Sequence, residues 1–174
     1  MRGALFAVSI LLGSSIVAGQ NPKGQPVEAL LKRLFPEASS FSPRLGTPPH
    51  FKAYGAPTGA QAPVVGVAFW TTELEPLERG YDGPIKILVG MDLQGVLAGV
   101  VVVDHSEPYG YFSVDPAGFA AQFARKNIRD PFKVGSDVDA VSKATITIGS
   151  ASRAIRNSAR RIARQVLSPV PGTP

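Results

Sequence analysis

The strongest constraint on this chain is a pair of apolar runs, Ile85–Met91 and Val96–Asp104, separated by Asp92-Leu93-Gln94-Gly95. Runs of this length rich in Val, Ile and Leu predict strands. Asp in the first place of the tetrapeptide and Gly in the last suit a type I turn. The three pieces together predict a β-hairpin whose apolar content is long enough for a central place in a sheet.

The remaining segments fall around that hairpin. Val64–Thr71 predicts a strand, since it is rich in β-branched and aromatic residues. Pro26–Phe35 predicts a helix, with Val27, Leu30, Leu31 and Leu34 at helical spacing and Pro36 as its stop. Pro36–Pro63 is rich in Pro, Gly and Ser and reads as loops. Glu73–Gly83 reads as a polar connection and Asp130–Gly135 as a loop. Pro116–Arg125 predicts a helix with Phe119, Ala120 and Phe123 on one face. Ala144–Ile148 is compatible with a short strand or a helix start, and Ala151–Leu167 predicts a helix ended by Ser168-Pro169. There is no internal repeat. Strands in hairpin order with helices between and after them predict an α+β fold, a mainly antiparallel sheet with flanking helices.

The ends and the composition narrow the setting. Arg2, the uncharged Ala4–Val17 run and the small residues Ala18 and Gly19 have the layout of a secretory leader, 1–19, with an uncleaved anchor as the alternative. After it come a helix-and-loop segment (20–63), a core (64–168) in one domain with that segment, and a tail (169–174). With no cysteine and only two histidines, His50 and His105, a metal site of nitrogen and sulfur ligands is not expected. Nor are a disulfide or an iron–sulfur cluster. The net charge is +5, and export argues against nucleic acid as the reason. Arg153, Arg156, Arg160, Arg161 and Arg164 stand without an acid between Ala151 and Leu167, beside an apolar stripe of Ile155, Ala159, Ile162 and Val166. That is either a solvated face or a contact for an anionic membrane surface or an acidic redox partner.

The run Asp139-Ala140-Val141-Ser142-Lys143-Ala144-Thr145-Ile146-Thr147 is the most informative. It puts hydroxyls at the start of a helix, where they either cap free amides or stand beside a place that favours phosphate. Gly80-Tyr81-Asp82-Gly83-Pro84-Ile85 reads as a tight turn into a strand. His105-Ser106-Glu107-Pro108-Tyr109-Gly110 follows the hairpin, where His105 and Glu107 read as a solvated strand end. Trp70, Tyr81 and Tyr109 are either core or surfaces on which a planar cofactor stacks. No nucleophile–base pair and no convergent carboxylates are present, so no catalytic residue is assigned.

These three segments, in this order, resemble FMN-binding domains. The first run is similar to the target of bacterial flavin transferases, an acidic residue and a spacer followed by Ser/Thr-Gly-Ala-Thr. By that resemblance Asp139 is the acidic recognition residue, Ser142 and Ala144 are motif matches, and Thr145 accepts FMN through a phosphoester. Lys143 stands where the motif usually has glycine. Gly80, Tyr81 and Gly83 match a Gly-Tyr-x-Gly-x-Ile segment, and His105 and Glu107 a His-x-Glu segment. The resemblance is to the periplasmic flavin domain of the NosR/NirI regulator type. More distantly, the chain is similar to the G component of the Rnf electron-transport complex and the C component of the sodium-pumping NADH:quinone reductase. The resemblance implies an FMN-binding fold, covalent FMN, a flavin transferase for maturation, a redox partner at the membrane or in the periplasm, and a periplasmic, membrane-associated location. It implies electron transfer rather than independent enzymatic turnover. The alternative is a non-redox sensory or assembly module of a membrane respiratory complex.

Overall fold

The computed structural model describes residues 22–57 and 61–167. The expected leader, its cleavage point, the Ser168-Pro169 stop and the tail lie outside the described residues. The sheet is a five-stranded antiparallel meander, ordered β1 (Ser40–Phe41), β2 (Phe51–Tyr54), β3 (Val64–Trp70), β4 (Lys86–Asp92) and β5 (Leu97–Asp104). Helix α1 (Val27–Leu34) covers one face. The long helix α5 (Thr145–Ile162) covers the other and runs on into a π-helical turn, Ala163–Leu167. Three short helices lie between: α2 (Thr71–Leu74), α3 (Gly110–Ser113) and α4 (Ala117–Ala121). The α+β expectation holds.

Strand alternation sorts the side chains into two cores. Val67, Phe69, Ile87, Val89 and Met91 face α5, where Ile148, Ile155 and Ile162 meet them. Ala68, Trp70, Leu88 and Val101 face α1, against Leu30, Leu31, Leu34 and Phe35. Full burial of a side chain such as Phe69, Ile87 or Ile155 contributes about 2 kcal/mol. The Ile155, Ala159 and Ile162 part of the C-terminal stripe is therefore core and not a docking face, because α5 lies against the sheet.

Three local expectations are corrected, and one open alternative is decided. The segment 36–63 is not all loop, since it holds β1 and β2. These pair by backbone bonds that short, Pro- and Gly-flanked strands do not announce by periodicity. In the hairpin only β4 is interior. Strand β5 is at the edge of the sheet, and its near-continuous apolar content comes from being covered on both faces. Its outer edge is partly paired by a following loop: Arg125 N–H donates to Leu97 O, and Leu97 N–H to Lys126 O, both at 2.8 Å. The expected helix over 116–125 is regular only at Ala117–Ala121, and the chain breaks off through a left-handed Arg125 at φ 67°. Helix α5 begins at Thr145, so Ala144–Ile148 is a helix start and not a strand.

Candidate functional site

The turn Asp92–Gly95 closes one end of the hairpin, and the three singled-out segments gather at the other. Glu107 joins them. Although expected at a solvated strand end, it is 6% exposed. Its Oε2 accepts the Tyr81 N–H at 2.9 Å and its Oε1 the Asp82 N–H at 3.0 Å. Its Oε2 also accepts the hydroxyl of Thr147, in the first turn of α5. The carboxylate thus ties the Gly80–Ile85 turn to the start of α5. Burial pushes the Glu107 carboxyl upward, but the hydrogen bonds from Thr147, Asp82 and Tyr81 outweigh it. The group is held below the usual carboxylate range.

The glycines around Glu107 have a steric reason. A Cβ on Gly80 would run into the Glu107 carboxylate, and one on Gly110 into the His105 ring. Gly80 N–H closes the turn onto Gly83 O at 2.7 Å. His105 is a positioning group. Its Nδ1 accepts the Glu107 N–H at 3.1 Å, which leaves the ring proton on Nε2, facing Asp115 Oδ1 at 2.8 Å.

The start of α5 has no side-chain cap, which it shares with α1 to α4. Ala144 occupies the cap position and has no side-chain oxygen. The Thr147 hydroxyl is taken by Glu107. Ile148 N–H is the first to find a helical acceptor, Ala144 O at 3.0 Å. Among the described residues the amides of Thr145, Ile146 and Thr147 have no acceptor, so the hydroxyls of this run do not act as caps. Thr145 is exposed at this end and borders a groove of about 600 Å³ that also meets Phe132, Lys133, Arg153, Arg156 and Arg160. An exposed hydroxyl, three open amides and nearby cations form a donor set that suits a phosphate group. An apolar hollow of about 490 Å³ beside Phe35, Val65 and Val96 lies at the far end of the hairpin, without such donors.

The other sequence candidates separate. Ser142 is exposed, and Ala144 is buried beneath the helix start. Asp139 is exposed, with its N–H on Gln122 Oε1 at 2.6 Å. Lys143 adopts φ 69°, the left-handed region where glycine carries no penalty, which gives the motif's usual glycine a backbone reason. Tyr81 and Tyr109 are exposed near Glu107. Trp70 is buried on the α1 face with the Lys86 ammonium 4.7 Å above its ring, so it belongs to the core. The arginines are not one open face. Arg153 pairs with Glu78 at 2.7 Å and Arg161 with Glu75 at 3.0 Å. The acids come from the stretch after α2, beyond the reach of a local reading of the helix. Thr147 as Glu107's partner is likewise hidden from sequence reasoning. The pair is separated by forty residues and follows no local pattern.

Residues 80–161 match the FMN-binding domain family. The matched span opens on Gly80 and takes in all three segments and nearly all of α5. The chain is also similar to the G component of the ion-translocating oxidoreductase complex of Vibrio vulnificus (strain YJ016), 28% identical over 124 residues, covering 66% of this chain and 56% of that protein. The corresponding protein of Vibrio parahaemolyticus serotype O3:K6 (strain RIMD 2210633) is 28% identical over 127 residues, covering 67% and 57%. The chain therefore spans a little over half the length of these relatives. The narrower likeness to the NosR/NirI type stands on the sequence motifs alone. Over residues 80–161 the chain is thus similar to the FMN-binding domain family, and that match supports FMN as its cofactor.

Proposed function

We propose that this chain is an exported electron-transfer flavoprotein unit that carries FMN on Thr145 through a phosphoester. The observation that carries the reading is the open start of α5: an exposed Thr145 hydroxyl beside amides that no side chain caps, inside the matched span. FMN, when bound, supplies one- and two-electron redox chemistry. The chain's own residues do the holding. Thr145 Oγ is the point of attachment, and the amides of the first turn receive the phosphate oxygens. Lys143 and the groove cation Lys133 balance its charge. Glu107, fully engaged with neighbouring donors, sets the distance between the Gly80–Ile85 turn and α5. Tyr81 and Tyr109 border the same surface. Asp139, Ser142 and Ala144 present the run to a flavin transferase.

Thr147 is the wrong acceptor on this reading, since its hydroxyl is buried and committed to Glu107. Ser142 is exposed and is the local competitor. The unit spans 64–168, packed with the 20–63 segment, behind a secretory leader. Its setting is the periplasmic side of a membrane complex, where it passes electrons to a redox partner, as its likeness to a component of an ion-translocating oxidoreductase complex suggests.

Protein expressed in its native host and taken from the envelope tests this directly. Flavin fluorescence is expected to stay with the polypeptide through a denaturing gel. Peptide mass spectrometry is expected to put the FMN mass on Thr145. Thr145→Ala is expected to remove the fluorescence while Ser142→Ala keeps it. Flavin released by denaturation, or FMN mapped to Ser142 or Thr147, overturns the assignment.

A further inference from the structure

We infer that the recess formed by Arg129, Arg160 and Arg164 binds a phosphate group at a place separate from Thr145. The arginines of the C-terminal helix are sorted by what faces them. Those turned towards the stretch after α2 meet carboxylates, Arg153 on Glu78 and Arg161 on Glu75. Those turned towards the 128–131 loop meet backbone carbonyls there. Arg160 donates from Nε to Ile128 O at 2.7 Å and from Nη2 to Asp130 O at 3.0 Å, and Arg156 from Nη1 to Pro131 O at 3.2 Å. A carbonyl fixes a guanidinium in place and leaves its charge uncancelled.

That fixed Arg160 forms one wall of an open recess of about 480 Å³. Arg164, one helical turn further on, and Arg129, from the loop, line it as well, and Ile128 and Ala163 complete it. The side chains of Arg129 and Arg164 are exposed and have no ion-pair partner among the described residues. The loop's own acid, Asp130, has its carboxylate on the Asn127 amide at 2.8 Å. Three guanidinium groups from two elements, one already immobilised, converge with no carboxylate among the described residues that line the recess. The planar fork of arginine matches the oxygens of a phosphate and binds them in pairs. The recess is larger than a phosphate ion, which points to a phosphomonoester or phosphodiester with a body attached. Thr145 does not line it, but Arg160 borders both the recess and the Thr145 groove, so Arg129 and Arg164, which lie outside that groove, are the residues that assign a response to the recess.

The test uses the full chain, with inorganic phosphate and phosphatidylglycerol vesicles as separate probes. Chloride at equal ionic strength is the control for screening. Arginine Nε–H resonances report phosphate, and co-sedimentation reports vesicles, with phosphatidylcholine vesicles as the blank. Phosphate is expected to shift the Arg160 Nε–H saturably. Arg129→Gln or Arg164→Gln is expected to weaken it about tenfold each, the loss of one charge-assisted contact. Arg125→Gln, an exposed arginine outside the recess, is expected to change nothing. Retention on phosphatidylglycerol alone, lost in Arg129→Gln and Arg164→Gln, supports the site and names a lipid headgroup as the source. A chloride effect equal to that of phosphate, an Arg125→Gln loss equal to the other two, or no response to either probe overturns it.

Discussion

Glu107 and Thr147 meet inside the protein across forty residues of chain, the carboxylate accepting the threonine hydroxyl. Because Tyr81 and Asp82 donate to the same carboxylate, one buried charge holds two elements of the site together. Thr147→Val keeps the shape and removes one donor. It is expected to lower unfolding free energy by about 2 kcal/mol, the worth of a hydrogen bond to a charged group. Urea denaturation measures it. A change indistinguishable from zero would mean that the amides of Tyr81 and Asp82 alone satisfy Glu107.

The pH dependence follows from the same carboxylate and from Asp137. Burial raises the Asp137 carboxyl, but the Lys133 amide, the Lys126 ammonium at 3.0 Å and the Phe132 amide outweigh it. Both groups are therefore held below their ordinary values in the folded state. A depressed folded value contributes stability that is complete above the unfolded value, about 4 for a carboxylate, and is lost as pH falls through the folded one. Unfolding free energy is expected to be flat from neutral pH to about 5 and to fall below about 4. Glu107→Gln and Asp137→Asn should each start lower and fall less steeply. Slopes equal to that of the parent would show that other groups govern acid unfolding.

Lys143 sits in a left-handed conformation at φ 69°. An L side chain costs about 1 kcal/mol there, and glycine relieves it. Lys143→Gly is expected to stabilise the chain by about that amount in thermal unfolding. It also restores the glycine of the flavin-transferase motif, so the fraction of flavin-bearing protein should rise or hold. Destabilisation by this change would mean that the lysine side chain makes a compensating contact.

Gly110 tests the packing under His105. Alanine there places a methyl group inside the imidazole ring's volume, and His105 is fixed by Glu107 and Asp115. Overpacking of this kind costs about 1–3 kcal/mol. Gly118→Ala, at a position with open space around it, is the matched control and should be neutral or better. Equal behaviour of the two variants would show that the His105 ring swings aside at no cost.

What the sequence discloses is local, and what it conceals is mostly long-range. The Ile85–Asp104 hairpin is legible because period, length and turn chemistry agree within twenty residues. Strands β1 and β2 are not, since a two-residue and a four-residue strand between prolines and glycines carry no period to read. Thr145 stands out through its motif. The choice between hydroxyls that cap and hydroxyls that do not is decided only by the backbone, which puts Ala144 in the cap position and turns Thr147 to Glu107. Glu107 is the largest miss in character, read as solvated because nothing near it in sequence hints at the two amides and the threonine that surround it. The arginine helix misleads in the same way. Glu75 and Glu78 lie more than seventy residues upstream of the arginines they neutralise, and a charge count along one helix cannot see them.

On the proposed reading, the open first turn of α5 would make holding the fold and holding an anion parts of one equilibrium. Three amides without a partner among the described residues weaken the start of the longest described helix, which also packs on β4 within one of the two cores. An anion that binds there stabilises the native state and gains nothing from the unfolded chain, so its binding free energy adds to the stability of the protein. Loaded protein should then resist proteolysis near residue 145 and melt later than empty protein. A covalent phosphoester makes that gain independent of dilution.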